Sequence, residues 1–151
     1  MKSFQRPRDD YFLRAESFFN LATEIERLDR EPSVAPPIID AYGGHSLHEQ
    51  SHGESFLALM TRRFRGRGLY ILDEPEAALS PKKQLLVLRR MRQLVHQDSQ
   101  FIIATHSPIL LAYPNAKILQ LDQQGYRLVN YKDTEHYQLT RWVLNSSERY
   151  R

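Results

Sequence analysis

The segment Gly-Leu-Tyr-Ile-Leu-Asp-Glu-Pro at residues 68–75 sets the narrowest limits on the fold. Four apolar residues, Leu69, Tyr70, Ile71 and Leu72, run into two adjacent carboxylates, Asp73 and Glu74, and Pro75 ends the run. A short, continuous apolar run reads as a strand of a parallel sheet, buried on both faces. The carboxylates then stand at its carboxyl end, the edge where open α/β sheets place their ligands. Such a pair suits a magnesium–nucleotide site. One carboxylate holds the ion through its waters, and the next orients the water that attacks a phosphate. Taken alone, the pair is equally explained as a strand ending in a solvated turn.

Composition narrows the setting. At 151 residues, 41% hydrophobic and 26% charged, the chain has room for one domain with a real core. Cysteine is absent, which excludes disulfides, thiolate catalysis and zinc ribbons and fits a reducing compartment. No apolar run is long enough to span a bilayer and the first ten residues are polar, so a cytoplasmic protein without membrane insertion is expected. A formal charge of +3 is too small to argue for nucleic acid by itself.

Along the chain, residues 11–15 read as a short strand. Phe18, Leu21, Ala22, Ile25 and Leu28 then recur at helical spacing behind Ser17. Residues 31–44 hold three prolines and two glycines and read as an ordered loop. A helix is expected from about 51 to 65, with Phe56, Leu57, Leu59, Met60 and Phe64 on its buried side. After the strand at 69–73, Ser80-Pro81 marks a helix start, serine as cap and proline in the first turn. Leu85, Leu86, Leu88, Met91, Leu94 and Val95 carry that helix to about His96. Residues 101–105 and 117–121 read as a second and a third buried strand. Gln123-Gln124-Gly125 reads as a hairpin turn into 126–131, and a last helix is expected over 134–144, with Tyr137 and Trp142 packing it on the sheet. Strand, helix and strand at these lengths make a βαβ unit with a parallel sheet.

Two further features raise the carboxylate pair above a solvated turn. His106 follows the strand at 101–105, and adjacent parallel strands deliver their carboxyl ends to one edge. The imidazole is therefore expected beside Glu74, able to hydrogen-bond a γ-phosphate or the attacking water. The plain alternative is a histidine capping the turn at Ser107. The other feature is Gln50-Ser51-His52-Gly53-Glu54-Ser55. Ser51 and Glu54 form a Ser-x-x-Glu capping box, a complete structural account of both. The same helix start, with a glycine that admits close approach, is equally an anion site.

Here the chain resembles ABC-type ATPases, in particular small bacterial AAA-family ATPases with ABC-like heads. Residues 51–55 are similar to the signature motif, Leu69–Glu74 to the Walker B strand, 77–80 to the D-loop, and His106 to the switch histidine, over residues 50–121 at least. The resemblance implies an α/β, P-loop NTPase-like parallel sheet flanked by helices, with ATP and Mg2+ as cofactors. It also implies Asp73 at the metal, Glu74 as general base and His106 as γ-phosphate sensor. Ser51 and Gly53, with Glu54 beside them, would bind the nucleotide of another protomer in an ATP-dependent dimer. Two positions depart from the pattern: Ser80 replaces the usual D-loop aspartate, and Gln50 the leucine that opens the signature. The whole reads as one partial domain: a strand–helix segment (11–30), a loop (31–49), the signature helix (50–67), the catalytic sheet core (68–131) and a final helix (132–151).

No Gly-x-x-x-x-Gly-Lys-Ser/Thr occurs, and none of the five lysines follows a glycine. The P-loop supplies the amide cradle and the phosphate-binding lysine. The chain is therefore expected to be inactive alone, and to work as a homodimer or with a partner that supplies the P-loop. A non-catalytic remnant or a DNA-binding, partner-regulating module is the alternative, the latter suggested by the basic run at residues 62–67. His45, His48 and His52 lack the ligand spacing of a zinc site.

Overall fold

The computed structural model describes residues 7–14, 17–32, 35–42, 44 and 52–146. The chain divides into two compact units, Met1–Ala104 and Thr105–Arg151.

The first unit is α/β. Its sheet contains three parallel strands, β1 (Asp9–Arg14), β2 (Gly68–Asp73) and β3 (Gln100–Ala104), in that spatial order. Register is continuous across the sheet: Tyr11 faces Tyr70 and Tyr70 faces Phe101, while the next row is Phe12, Ile71 and Ile102. Side chains alternate faces along a strand, so these rows belong to opposite sides of the sheet. Helix α1 (Phe18–Asp29) follows β1. The Asp29 carboxylate accepts the backbone N–H groups of Ile38 at 2.6 Å and Ile39 at 2.8 Å, fixing the start of a 3-10 turn at Ile38–Tyr42 inside the predicted loop.

Helix α2 (His52–Ala58) widens into a π turn at Leu59–Arg63. The predicted single helix therefore loses α geometry seven residues earlier than its apolar spacing suggests. Thr61 donates its hydroxyl back to the carbonyls of Leu57 and Ala58, a bond that competes with the helix ladder. Arg62 and Arg63 stand in the last turn of this segment, where cations are favoured. Arg90, from helix α3 (Pro81–Val95), donates to the carbonyls of Met60, Thr61 and Phe64.

Beneath lies the core. Leu59, Met60, Phe64, Tyr70, Leu72, Val87 and Leu94 are all buried, and Phe64 stacks on Tyr70 with ring centroids 4.0 Å apart. Helix α3 starts as predicted, Ser80 Oγ accepting from Lys83 N–H, but its buried stripe is Gln84, Val87, Met91 and Leu94. Leu85, Leu86 and Val95, expected inside, are exposed. The buried stripe runs at three- and four-residue steps from Gln84, and both consecutive leucines fall beside it. Strand β3 also departs from expectation: it alternates between half-buried and exposed rather than being buried on both faces. The row containing Phe12 (62% exposed) and Ile102 (51%) faces solvent.

The second unit holds a short helix α4 (Pro108–Leu111), an antiparallel hairpin of β4 (Ile118–Asp122) and β5 (Gly125–Val129), and helix α5 (Glu135–Asn145). The strand predicted at 117–121 is thus not a third strand of the parallel sheet. Among the described residues it pairs only with β5, and Leu119 and Leu121 are exposed. The turn chemistry was legible: Asp122 Oδ1 accepts from Gln124 N–H at 2.8 Å, and Gly125 takes a φ of +127° that favours glycine. Thr134 caps α5, accepting from Tyr137 N–H, and Tyr137 packs edge-on against Tyr131. Trp142, expected in the core, is 54% exposed.

Candidate functional site

Asp73 is the last residue of β2, with Arg14 on one flank and Ala104 on the other. Arg14 Nε donates to Asp73 Oδ2 at 3.1 Å, and both side chains are partly exposed. At Glu74 the backbone leaves the strand. Its φ of 48° and ψ of 49° lie in the left-handed region, uncommon for a residue with a side chain. Two neighbours hold it there. Its N–H donates to the Ala104 carbonyl at 2.9 Å, and Pro75 behind it is fully buried. Glu74 itself is exposed. Two carboxylates thus stand at the carboxyl end of the central strand, one beside a guanidinium and one on a constrained turn. Strain of this kind is concentrated at functional sites.

Of the predicted anion-binding turn, Ser51 lies outside the described residues, as do Gln50, His45, His48 and Glu49. Gly53 is buried in the first turn of α2. Glu54 is exposed and lies 3.9 Å from Lys83 Nζ, tying the start of α2 to the start of α3. Among the described residues no group of three or more His, Asp or Glu is arranged to hold a metal ion.

His106 belongs to the second unit. The turn it occupies is served by its neighbours: Thr105 Oγ1 accepts from Ser107 N–H at 3.0 Å, and Ser107 Oγ accepts from Ile109 and Leu110 N–H. The capping task weighed for His106 therefore falls to Ser107. His106 instead meets a second histidine, its Nδ1 lying 3.1 Å from Nε2 of His136 in the first turn of α5.

Sequence reasoning missed Arg14 and His136. Arg14 had a signal: it closes an apolar strand with a charge, as Asp73 does. His136 had none, because its meeting with His106 spans 30 residues and is created by tertiary structure.

At the opposite, amino end of the same sheet lies a cleft of about 840 Å3 lined by Arg8, Asp9, Arg63, Arg65, Arg67 and Asp98, among others. The buried Asp9 carboxylate accepts from Arg63 Nη1, Tyr70 Oη and Arg65 N–H. Burial pushes its pKa up, but the bonds from Arg63, Tyr70 and the Arg65 amide outweigh that and hold it below the usual carboxylate value. Burial and the adjacent Asp9 raise that of the Tyr70 phenol.

Comparison with known proteins bears on the first unit above all. Residues 38–112 match the family described as "AAA domain, putative AbiEii toxin, Type IV TA system". This stretch is thus similar to AAA-family sequence. The chain is also 38% identical over 78 residues to an uncharacterized ABC transporter ATP-binding protein of Haemophilus influenzae. That alignment takes in 51% of this chain and 30% of the relative, so the chain spans under a third of the relative it matches. No solved structure matches the chain. The α/β parallel sheet expected from the sequence is the architecture found, and it agrees with a P-loop NTPase-like fold. No helix among the described residues is long and apolar enough to cross a membrane.

Proposed function

We propose that this chain supplies part of a composite ATP-binding and ATP-hydrolysing site, of the kind found between paired ABC-type heads. The observation that carries the reading is the carboxylate pair at the end of β2, with Glu74 turned out of the strand and bonded to the end of β3. Asp73 offers hard carboxylate oxygens of the kind a divalent cation takes, and the Arg14 guanidinium that donates to its Oδ2 would give way to the ion. When bound, Mg2+ would offset charge on the phosphates. Glu74 is the general base that orients and deprotonates the attacking water, and His106 meets the γ-phosphate. Ser51 and Gly53, beside Glu54, meet a nucleotide on another protomer. The glycine-rich loop that cradles the phosphates is not among these 151 residues and has to be contributed by a further segment or partner.

The test is reconstitution. ATP turnover by the chain alone is expected at background. Adding a polypeptide that carries the P-loop portion of an ABC-type head should raise it, and Glu74→Gln should then lower it by roughly 10²-fold or more. Turnover that survives Glu74→Gln would remove the reading.

The basic cleft favours a second reading, contact with DNA. None of the described residues that line it is aromatic, so it suits phosphates rather than stacked bases. Binding should be independent of base sequence and weaken steeply with salt. Removing Arg65 or Arg67 should each lower the salt slope by about one. Affinity unaffected by either change would exclude this surface.

A further inference from the structure

Each nitrogen of a neutral imidazole is either a donor or an acceptor, and the partner of one nitrogen settles the role of the other. In the second unit His106 Nδ1 and His136 Nε2 are 3.1 Å apart, with ring centroids separated by 5.3 Å and planes inclined at 36°. Two lone pairs do not meet at that distance, so one proton lies between the rings. Two neutral arrangements satisfy this. In the first, His136 Nε2–H donates, and His106 carries its own proton on Nε2. In the second, His106 Nδ1–H donates, and its Nε2 is a bare lone pair. The first leaves both rings in the Nε2–H form that a free histidine side chain prefers, whereas the second forces both into the rarer one. Only the first lets His106 donate a hydrogen bond to a phosphate oxygen.

We propose that His136 is a positioning residue: it donates to His106 Nδ1 and so holds His106 as the Nε2–H tautomer, presenting a donor at its far edge. This rests on the reading of His106 as the γ-phosphate histidine. The surroundings are built to keep the two rings in register. Thr134 is buried, caps the helix that carries His136 and donates to the Tyr131 carbonyl at 2.7 Å. Tyr131 in turn donates its hydroxyl to the Pro108 carbonyl at 2.8 Å, two residues beyond His106. Ser107, between them, is buried and engaged by two helix amides. Both histidines are therefore anchored through one short path of hydrogen bonds inside the same unit.

The test compares two substitutions of nearly equal shape and opposite chemistry. His136→Gln offers an amide N–H to His106 Nδ1, and His136→Glu offers only acceptor oxygens. Long-range ¹H–¹⁵N correlation spectra of the labelled full chain, at about pH 8 where free imidazole is neutral, read the protonated nitrogen directly. A His106→Ala spectrum provides the assignment. The native chain and His136→Gln should both show His106 protonated on Nε2. His136→Glu should move a proton onto Nδ1, with the corresponding exchange of the two ¹⁵N shifts. A native His106 protonated on Nδ1, or the same pattern in the Gln and Glu variants, overturns the proposal. No nucleotide enters this measurement, so it stands apart from the reading it serves. If the Gln and Glu variants split as expected while ATP and a P-loop segment leave His106 Nε2 unperturbed, the phosphate role fails and the tautomer assignment stands.

Discussion

Arg14 and Asp73 form an ion pair with both partners in contact with water, and pairs of that kind contribute about 0–1 kcal/mol once screening and side-chain entropy are counted. Arg14→Ala should therefore shift the melting temperature by no more than about 2–4 °C, and by less still in high salt. A larger drop in a thermal melt would mean that the pair is scaffold rather than part of an open site. Asp9 is the opposite case, a buried carboxylate with three donors. Its pKa is lower folded than unfolded, so its contribution is complete above the unfolded value, about 4, and is lost as pH falls through the lower folded one. For Tyr70, whose pKa is raised, stability is complete below about pH 10 and declines as the phenol ionises above it. Urea unfolding between acid and neutral pH should show a stability loss on the acid side that Asp9→Asn largely abolishes. An unchanged acid profile in that variant would assign the loss to other carboxylates.

Among the elements, the junction between α2 and β2 depends on α3. Arg90 engages three carbonyls in and just past the π turn, those of Met60, Thr61 and Phe64. Arg90→Ala should destabilise the fold by about 1–2 kcal/mol, and Arg90→Lys should recover little of it, because a point charge cannot reach the same fork of acceptors. Full recovery by lysine in denaturant titrations would refute the fork geometry. Gly68 is constrained more severely. A Cβ there would stand 2.5 Å from the Asp9 carbonyl and from the Tyr70 ring, so Gly68→Ala should cost about 3 kcal/mol. These elements also mark how far periodicity could be read. The start of α3 was legible because serine and proline act locally. Its buried stripe was not, because Leu85, Leu86 and Leu88 outweigh Gln84 and Val87 in apolar character, whereas tertiary packing buries Gln84 and Val87. The same limit applied to residues 118–122, whose apolar character fits an exposed hairpin as well as a buried strand.

For the molecule as a whole, the order of carboxylate pair, helix start and histidine was legible because each sits next to a local stop signal: Pro75, Ser80-Pro81 and Ser107-Pro108. What remained hidden were relations across the chain, such as Arg14 with Asp73 and His106 with His136, for which no short spacing stands proxy. The sheet of the first unit is covered on one face, and Phe12 and Ile102 face water on the other. Parallel sheets normally bury both faces. A P-loop-bearing segment should therefore slow amide exchange in β1 and β3 and raise the melting temperature of the chain, and no protection of either strand would show that it docks elsewhere. The uncovered row also bears on handling. Concentrated without a companion, such molecules are expected to coalesce through their greasy sides, so light scattering should climb with concentration. Replacing Phe12 and Ile102 by threonine should keep the solution clear.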